Sequence, residues 1–384
     1  MYLYFSLVIK MKTFKAGTYI NQGYYKSFEP NLINKNWKLD NMEIISLLGK
    51  ADRLVGRLDM FSKYTPNLAL FIQMHVTKEA TQSSKIEGTK TSIEDALMEK
   101  EDIALNQVDD WVEVQNYIAA MNFGIERLGK LPFSSRLIKE THAILLKGTR
   151  GEKKHPGNFR TSQNWIGGAT INDAVFIPPV HSHIANLMGD IEKFAHNDTE
   201  YFPELLKIAL IHYQFETIHP FLDGNGRVGR LFITLYLVAK GLLQQPILYL
   251  SDFFEKNRTY YYDNLTRVRR HDDITQWFKF FLVGIIETAT KGISTFEKIL
   301  QLQKASEAKI NKLGSRAPNA QKVLDYLYQK PVINTATVRK VTGLSGASAY
   351  KLVNDFEKLE ILKEVTGAQR GKSYVYEDYL NLFR

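Results

Sequence analysis

Residues 219–230 read His-Pro-Phe-Leu-Asp-Gly-Asn-Gly-Arg-Val-Gly-Arg. Strongly apolar stretches flank these twelve positions on both sides. Pro203 opens a helical pattern that runs to about Thr217, and Leu231, Phe232, Leu235, Tyr236 and Val238 mark a second one over 228–240. Two buried helices therefore hold a short loop at both ends, which places the chain in the mostly α class.

The loop concentrates chemistry. His219 offers an imidazole whose ordinary pKa of ~6.5 suits proton acceptance near neutral pH. Asp223 supplies one carboxylate, enough for a hard divalent cation that takes its other ligands from phosphate and water. Gly224, Asn225 and Gly226 permit a positive-φ turn that aims successive N–H groups at one anion at the start of a helix. Arg227 and Arg230 bring forked donors suited to phosphate. A general base, a metal ligand and a phosphate cradle in one loop point to nucleotide-dependent transfer.

Working outward, 37–105 reads as an N-terminal helical region with an apolar stripe through Ile44, Leu47, Leu48, Leu54 and Leu58. Within it, 78–87 forms a short helical segment that ends at Gly88, and Thr91 with Glu94 predicts a capping box for the next helix. Further helices are expected over 108–128, 134–146 and 183–196. Between them, 148–179 is rich in turn formers, such as Asn158-Phe159-Arg160, Gly167-Gly168 and Asn172-Asp173, and 174–177 reads as a strand, so a β-hairpin is the simplest expectation.

Helices over 253–269 and 274–302 follow the loop, and Gly-Ser-Arg-Ala-Pro at 314–318 marks a linker. Beyond it, helices over 319–328, 335–342 and 345–359 precede a two-stranded wing over 361–375 with a basic turn at Arg370-Gly371-Lys372, the order of a winged helix-turn-helix. The expected division is 1–105 (N-terminal helical region), 106–290 (core), 291–318 (connecting helix and linker) and 319–384 (winged helix).

With 384 residues and 44% hydrophobic composition the chain can furnish two or three cores, and no apolar run approaches a membrane span. The absence of cysteine excludes disulfides, thiolate metal sites and a cysteine nucleophile, and fits a cytoplasmic location. The apolar start, Met1 to Ile9, lacks a basic region and a cleavage site, so a secretory signal is not expected, and Met11 is an alternative start. A net charge of +9 suits nucleotide phosphates, acidic partners and nucleic acid alike.

The loop matches every position of His-x-Phe-x-(Asp/Glu)-Gly-Asn-Gly-Arg-x-x-Arg, and in this it resembles the Fic (filamentation induced by cAMP) family. The resemblance implies a Fic-type helical core with a β-hairpin flap. It also implies transfer of AMP from ATP to a Ser, Thr or Tyr hydroxyl of a protein, with diphosphate leaving. On that footing His219 is the base and Asp223 the ligand of Mg²⁺ or Mn²⁺. Phe221 anchors the loop, Asn225 meets the α-phosphate, and Arg227 and Arg230 hold the outer phosphates. Gly224, Gly226, Val228 and Gly229 complete the nucleotide-binding set, with Tyr262 of the Tyr260-Tyr261-Tyr262 run near the base and ribose.

A second stretch, Ser83-Ser84-Lys85-Ile86-Glu87-Gly88, matches the family's inhibitory (Ser/Thr)-x-x-x-Glu-(Gly/Asn) pattern. It implies that Ser83 bonds the loop and that Glu87 pairs with Arg230, closing the site in cis. Thr170, Ile171, Val175 and Phe176 fall where the family's flap binds its target by strand addition. Expected partners are therefore ATP and a hydroxyl-bearing protein, the chain itself or a second copy included, without a membrane.

Two other readings compete. Glu87 has the chemistry to activate water for AMP removal. The winged helix suits a DNA-binding regulator, with Ser345, Ser348, Tyr350 and Lys351 near the start of its recognition helix. Residues 315–384 hold 11 Lys and Arg against 7 Asp and Glu, and Asp355, Glu357 and Glu360 would repel phosphate.

Overall fold

The computed structural model describes residues 14–64, 68–199, 202–366 and 371–384. The apolar start with Met1 and Met11, and Arg370 of the basic turn, lie outside the described residues. The chain opens with a hairpin that the sequence did not announce, β1 (Gly17–Asn21) paired antiparallel with β2 (Lys26–Pro30). Phe28 of β2 is fully buried, and its N–H donates to the Ile177 carbonyl at 2.9 Å. The hairpin thus lies against the flap segment, and its end is tied to the helical layer by Gln214, which donates to the Asn31 carbonyl at 2.9 Å.

Two long helices follow, α1 (Met42–Tyr64) and α2 (Leu68–Ile86). The segment expected over 78–87 is therefore the last half of a 19-residue helix. It stops at Ile86, and Gly88 takes φ +102° in the turn beyond. The capping box falls one residue later than expected: Ser92, not Thr91, caps α3 (Ile93–Ala96), reciprocated by Asp95 rather than Glu94. Both pairs satisfy the same spacing, and only the backbone decides between them.

α4 (Val108–Leu128) and α5 (Ser135–Leu145, capped by Ser134) match expectation closely, as does α6 (Ile184–Ala195). Between α5 and α6 the expected hairpin is reduced to a single bridge, Ile166 with Phe176. Thr170 is spent locally, capping a 3₁₀ turn (Ile171–Asp173) with Asp173 as its partner. Asp173 binds the turn instead of letting 170–177 extend, so the flap is a capped loop closed at its neck.

α7 (Glu204–Ile218) is buried on every side, as a helix apolar all round must be. α8 (Asn225–Ala239) starts three residues earlier than the apolar pattern suggested. His212 on α7 joins three elements: its Nδ1–H donates to the Gly229 carbonyl and its Nε2 accepts from the Tyr261 hydroxyl, each at 2.9 Å. A carbonyl can only accept, which fixes this tautomer. The helix expected over 253–269 breaks at Asn257 into α9 (Ser251–Lys256) and α10 (Arg258–His271), and α11 runs from Ile274 to Ile310, eight residues past expectation.

No extended linker follows: a 3₁₀ segment (Asn311–Arg316), kinked at Gly314 with φ +60°, leads directly into α12 (Ala317–Gln329). Then come β3 (Val332–Asn334), α13 (Thr335–Thr342), α14 (Gly346–Lys358), β4 (Lys363–Glu364), β5 (Ser373–Val375) and α15 (Glu377–Leu380). The sheet order is β3-β5-β4, so β3 adds a third strand to the expected pair. Asp355, expected to face outward from α14, turns in to pair with Arg316 at 3.1 Å.

This C-terminal unit packs on the first half of α2. Phe71 meets the rings of Tyr328 and Tyr379, with centroids at 5.1 and 6.4 Å, and His75 lies between Phe296 and Phe383. Among the described residues no helix is long and apolar enough to cross a membrane.

Candidate active site

His219 terminates α7 in the left-handed conformation, φ +49°, with its N–H donating to the Phe215 carbonyl at 2.9 Å. A non-glycine residue pays for such a φ, and here surrounding bonds impose it. Arg160 donates from Nε to the His219 carbonyl at 3.0 Å and from its backbone N–H to the Pro220 carbonyl at 2.8 Å. Asn164 donates to the Phe221 carbonyl at 2.9 Å. Burial pulls the His219 imidazole down to about 4, with the Glu87 carboxylate opposing that shift. At neutral pH it is an uncharged base.

Phe221 is fully buried and stacks on His142 at 3.7 Å, with ring planes 8° apart. The Gly157 N–H donates to His142 Nδ1 at 2.8 Å, so the proton sits on Nε2 and is donated to the Asp223 carbonyl at 3.0 Å. Burial holds this histidine near 4, neutral. Asn225 closes the loop from inside: its Oδ1 accepts from the Phe221 N–H at 2.8 Å and its Nδ2 donates to the Phe221 carbonyl at 2.9 Å. Its amide is therefore largely spent on loop shape.

Gly224 precedes α8 with φ +74°, and no side chain caps the helix. The first backbone N–H groups of such a helix start have no intrahelical acceptor, and the helix dipole behind them suits an anion. Val228 and Gly229 do not join them. Val228 is buried, its N–H bonded to the Gly224 carbonyl at 3.0 Å. At Gly229 a β-carbon would stand 2.4 Å from Glu216 Oε1 on α7, so the glycine serves helix packing.

Of the two guanidinium groups, Arg227 is committed to a buried pair with Glu113 Oε2 on α4 at 2.7 Å, and lies 3.5 Å from Asp223 Oδ1. Arg230 donates from Nε to Ser83 Oγ at 2.9 Å, and from Nη2 to the Ser83 carbonyl at 2.8 Å and to Glu87 Oε1 at 2.7 Å. Burial disfavours ionisation of Glu87, yet Arg230, with Arg227 and His219 behind it, brings the carboxyl below its usual range. Tyr262 faces the same charges, since Glu87 and Arg230 both act on its hydroxyl, and it is 40% exposed.

Asp223 has a half-exposed side chain. Its Oδ1 accepts the Gly224 N–H at 2.6 Å, while Oδ2 faces Gly151, where a β-carbon would intrude to 2.9 Å. One open carboxylate oxygen beside an anion site fits a cation that is otherwise held by phosphate and water. Among the described residues no three His, Cys, Asp or Glu side chains converge on a metal position.

Several supports carry no motif. Glu113, His142, Arg160 and Asn164 lie 55 to 114 residues from the residues of 219–230 that they hold, where spacing is silent. Glu216, buried one turn before His219, is lifted to about 7 by burial.

The helical scaffold thus brings together an uncapped helix start, a neutral imidazole and a guanidinium held by a serine and a glutamate of the same chain. The sequence matches two family models, Fic/DOC family N-terminal over residues 45–126 and Fic/DOC family over 132–237. Residues 45–126 and 132–237 of the chain thus carry the two domains of the Fic/DOC family. It is 31% identical over 170 residues to a "Probable protein adenylyltransferase" of Aquifex aeolicus, covering 44% of this chain and 50% of that one. It is also 31% identical over 125 residues to the "Protein adenylyltransferase Fic" of Aedes aegypti, covering 32% and 22%. The chain thus spans half or less of the curated relatives it matches.

Among solved structures, a Fic family protein from Desulfovibrio desulfuricans superposes with a TM-score of 0.57 at 20% identity, covering 89% of this chain and 98% of that one. Fic-1 from C. elegans gives 0.51 at 20% identity over 68% and 73%. At these identities the likeness is one of fold.

Proposed function

We propose that the chain is a protein adenylyltransferase, transferring AMP from ATP to a protein hydroxyl, and that Glu87 holds it inactive in cis. The observation that carries this reading is the capture of Arg230 by Ser83 and Glu87. A guanidinium at this place on α8 would otherwise take the outer phosphates of a nucleotide bound at the helix start.

When ATP is bound, a divalent cation on Asp223 would neutralise phosphate charge and steady the leaving diphosphate. The chain's own work is positional and electrostatic. The N–H groups of Asn225 and Gly226 receive charge that grows on the α-phosphate, and Nε2 or Nδ1 of His219 accepts the proton of the attacking hydroxyl. The new P–O bond forms as the bond to the diphosphate breaks. Tyr262 flanks the site where base and ribose would lie. The loop over 165–176, with Trp165 and Val175 exposed, offers the surface for a target segment.

Incubation with α-labelled ATP and Mg²⁺ tests this. Glu87→Gly is expected to label itself or an added target strongly, wild type weakly, and Glu87→Gly/His219→Ala not at all. Equal labelling of wild type and Glu87→Gly would remove the autoinhibition. Absence of label from Glu87→Gly with every nucleoside triphosphate would remove the transferase reading.

A further inference from the structure

α2 presents two working faces. Ser83 and Glu87 meet Arg230, whereas Lys78, about 140° around the helix from Ser83 at 3.6 residues per turn, turns elsewhere. There it borders a cleft of about 180 Å³, open on one side to solvent and lined by α2, α9, α11 and the C-terminal end of the chain. Nothing in the transfer reaction uses this space.

Its chemistry is unbalanced. Lys256 and Lys291 both donate to the same oxygen, Asp252 Oδ2, at 3.0 and 2.8 Å. The ammonium of Lys78 joins them, and burial together with the neighbouring lysines lowers its pKa. Two ammonium groups therefore pair with one carboxylate, and a third, Lys78, lies close enough to feel the same charge. The other acids of the cavity do not redress this. Both oxygens of Glu79 are taken by Ser251 and Tyr117, and Glu287 is exposed at the rim.

A second observation points to a missing partner. His75 lines the cavity, is only 9% exposed, and its Nε2 has no hydrogen-bond partner among the described residues. Buried polar atoms in folded proteins are ordinarily satisfied. The remaining wall is apolar, with Tyr249, Phe253 and Phe383. A space of this size accommodates a small ring, as a dry cavity of ~150 Å³ holds benzene, and the lysines supply the seat for a charged head.

We propose that this cavity binds a small organic phosphate monoester, its head among Lys78, Lys256 and Lys291 and its body against Phe383, and that the bound molecule keeps α2 docked. A phosphate head offers three oxygens and close to two negative charges, so each ammonium gains an acceptor without robbing Asp252. Because Lys78 and His75 belong to α2, the complete site exists only while α2 is in place. A ligand selective for that arrangement stabilises it. The regulatory half of this inference rests on the autoinhibited-transferase reading, whereas binding does not.

The test is calorimetric titration of the full chain with phenyl phosphate, with benzoate and inorganic phosphate as comparisons. Saturable one-to-one binding is expected, unchanged in His219→Ala and weakened about tenfold or more in Lys78→Gln and in Lys256→Gln, as for loss of a charged contact. The two variants are made separately, so a folding defect in one leaves the other to report. No heat, or wild-type affinity retained in both variants, overturns the site, and equal binding of benzoate overturns the phosphate class. Phenyl phosphate is further expected to slow wild-type labelling and to leave Lys78→Gln unaffected. Unchanged wild-type labelling overturns the regulatory half. If Glu87→Gly labels nothing, the transferase reading fails while the titration still reports the cavity.

Discussion

A β-carbon on Gly226 would lie 2.3 Å from Glu87 Oε1, so the carboxylate that binds Arg230 occupies space left by a missing side chain. The glycine that opens the helix start to an anion is also the one that lets the glutamate in. In Gly226→Ala the flexible carboxylate is the softer partner and is expected to shift off Arg230. Labelling with α-labelled ATP should then rise above wild type yet stay below Glu87→Gly, since the added methyl group also crowds Arg230 Nη1 at 2.9 Å. Labelling at or below the wild-type level would mean that the carboxylate holds its place.

The acid limb of the reaction should report the buried imidazole. His219 sits near 4 because burial outweighs the Glu87 charge that opposes it. In Glu87→Gly that opposing charge is gone, so the base stays neutral to lower pH still. Its labelling rate is expected to hold between about pH 7 and about pH 5. Half-loss near the ordinary histidine value of ~6.5 would show that the loop is solvated and that burial does not set its titration.

Glu113 is the partner of two cations, Arg227 at 2.7 Å and Arg150 at 2.8 Å, and its side chain is 5% exposed. Glu113→Ala leaves the Arg227 charge buried without its carboxylate. Denaturant unfolding is expected to show a loss of about 3–5 kcal/mol, the usual cost of breaking a buried pair from one side. A loss under about 1 kcal/mol would place the pair with exposed ones.

Glu216 makes stability depend on pH. Burial raises its pKa from 4.5 to about 7, so the folded chain binds this proton more tightly than the unfolded one. The resulting stabilisation is complete below pH 4.5 and is lost as pH rises through 7. Glu216→Gln removes the slope. Its melting temperature relative to wild type should therefore be higher at about pH 8 than at about pH 5, by the same linkage. A parallel pH dependence in the two proteins would assign the proton elsewhere.

The fold was legible where one residue pattern admits one structure. α4 and α13 fall on their expected bounds, α4 from its apolar period and α13 from the agreement of that period with the Asn334 and Gly343 caps. It was illegible where two registers fit the same letters, as with Thr91/Glu94 and Ser92/Asp95. The N-terminal hairpin escaped because Phe28 is buried by Phe176 and Ile177, partners that no local window contains. The flap misled for the opposite reason: 174–177 has strand-forming residues, but Asp173 caps Thr170 and bends the chain before a ladder can form.

In the site, residues 219–230 and Glu87 declare themselves by spacing, and the structure brings Glu87 to Arg230. What spacing blurs is the division between residues that face the anion and residues that build the loop. Asn225, Val228 and Gly229 read as ligands, yet their groups serve Phe221, the Gly224 carbonyl and Glu216. Polar letters in a motif record chemistry without recording which partner consumes it.

α2 carries Phe71 against Tyr328 and Tyr379 and, twelve residues on, Ser83 against Arg230. At 1.5 Å per residue these two anchorages stand about 18 Å apart on one unbroken rod. The C-terminal unit and the masked arginine are thereby parts of the same mechanical circuit. Grafting a foreign module in place of 317–384 would reset the resting output of the site even if every residue of the loop were retained.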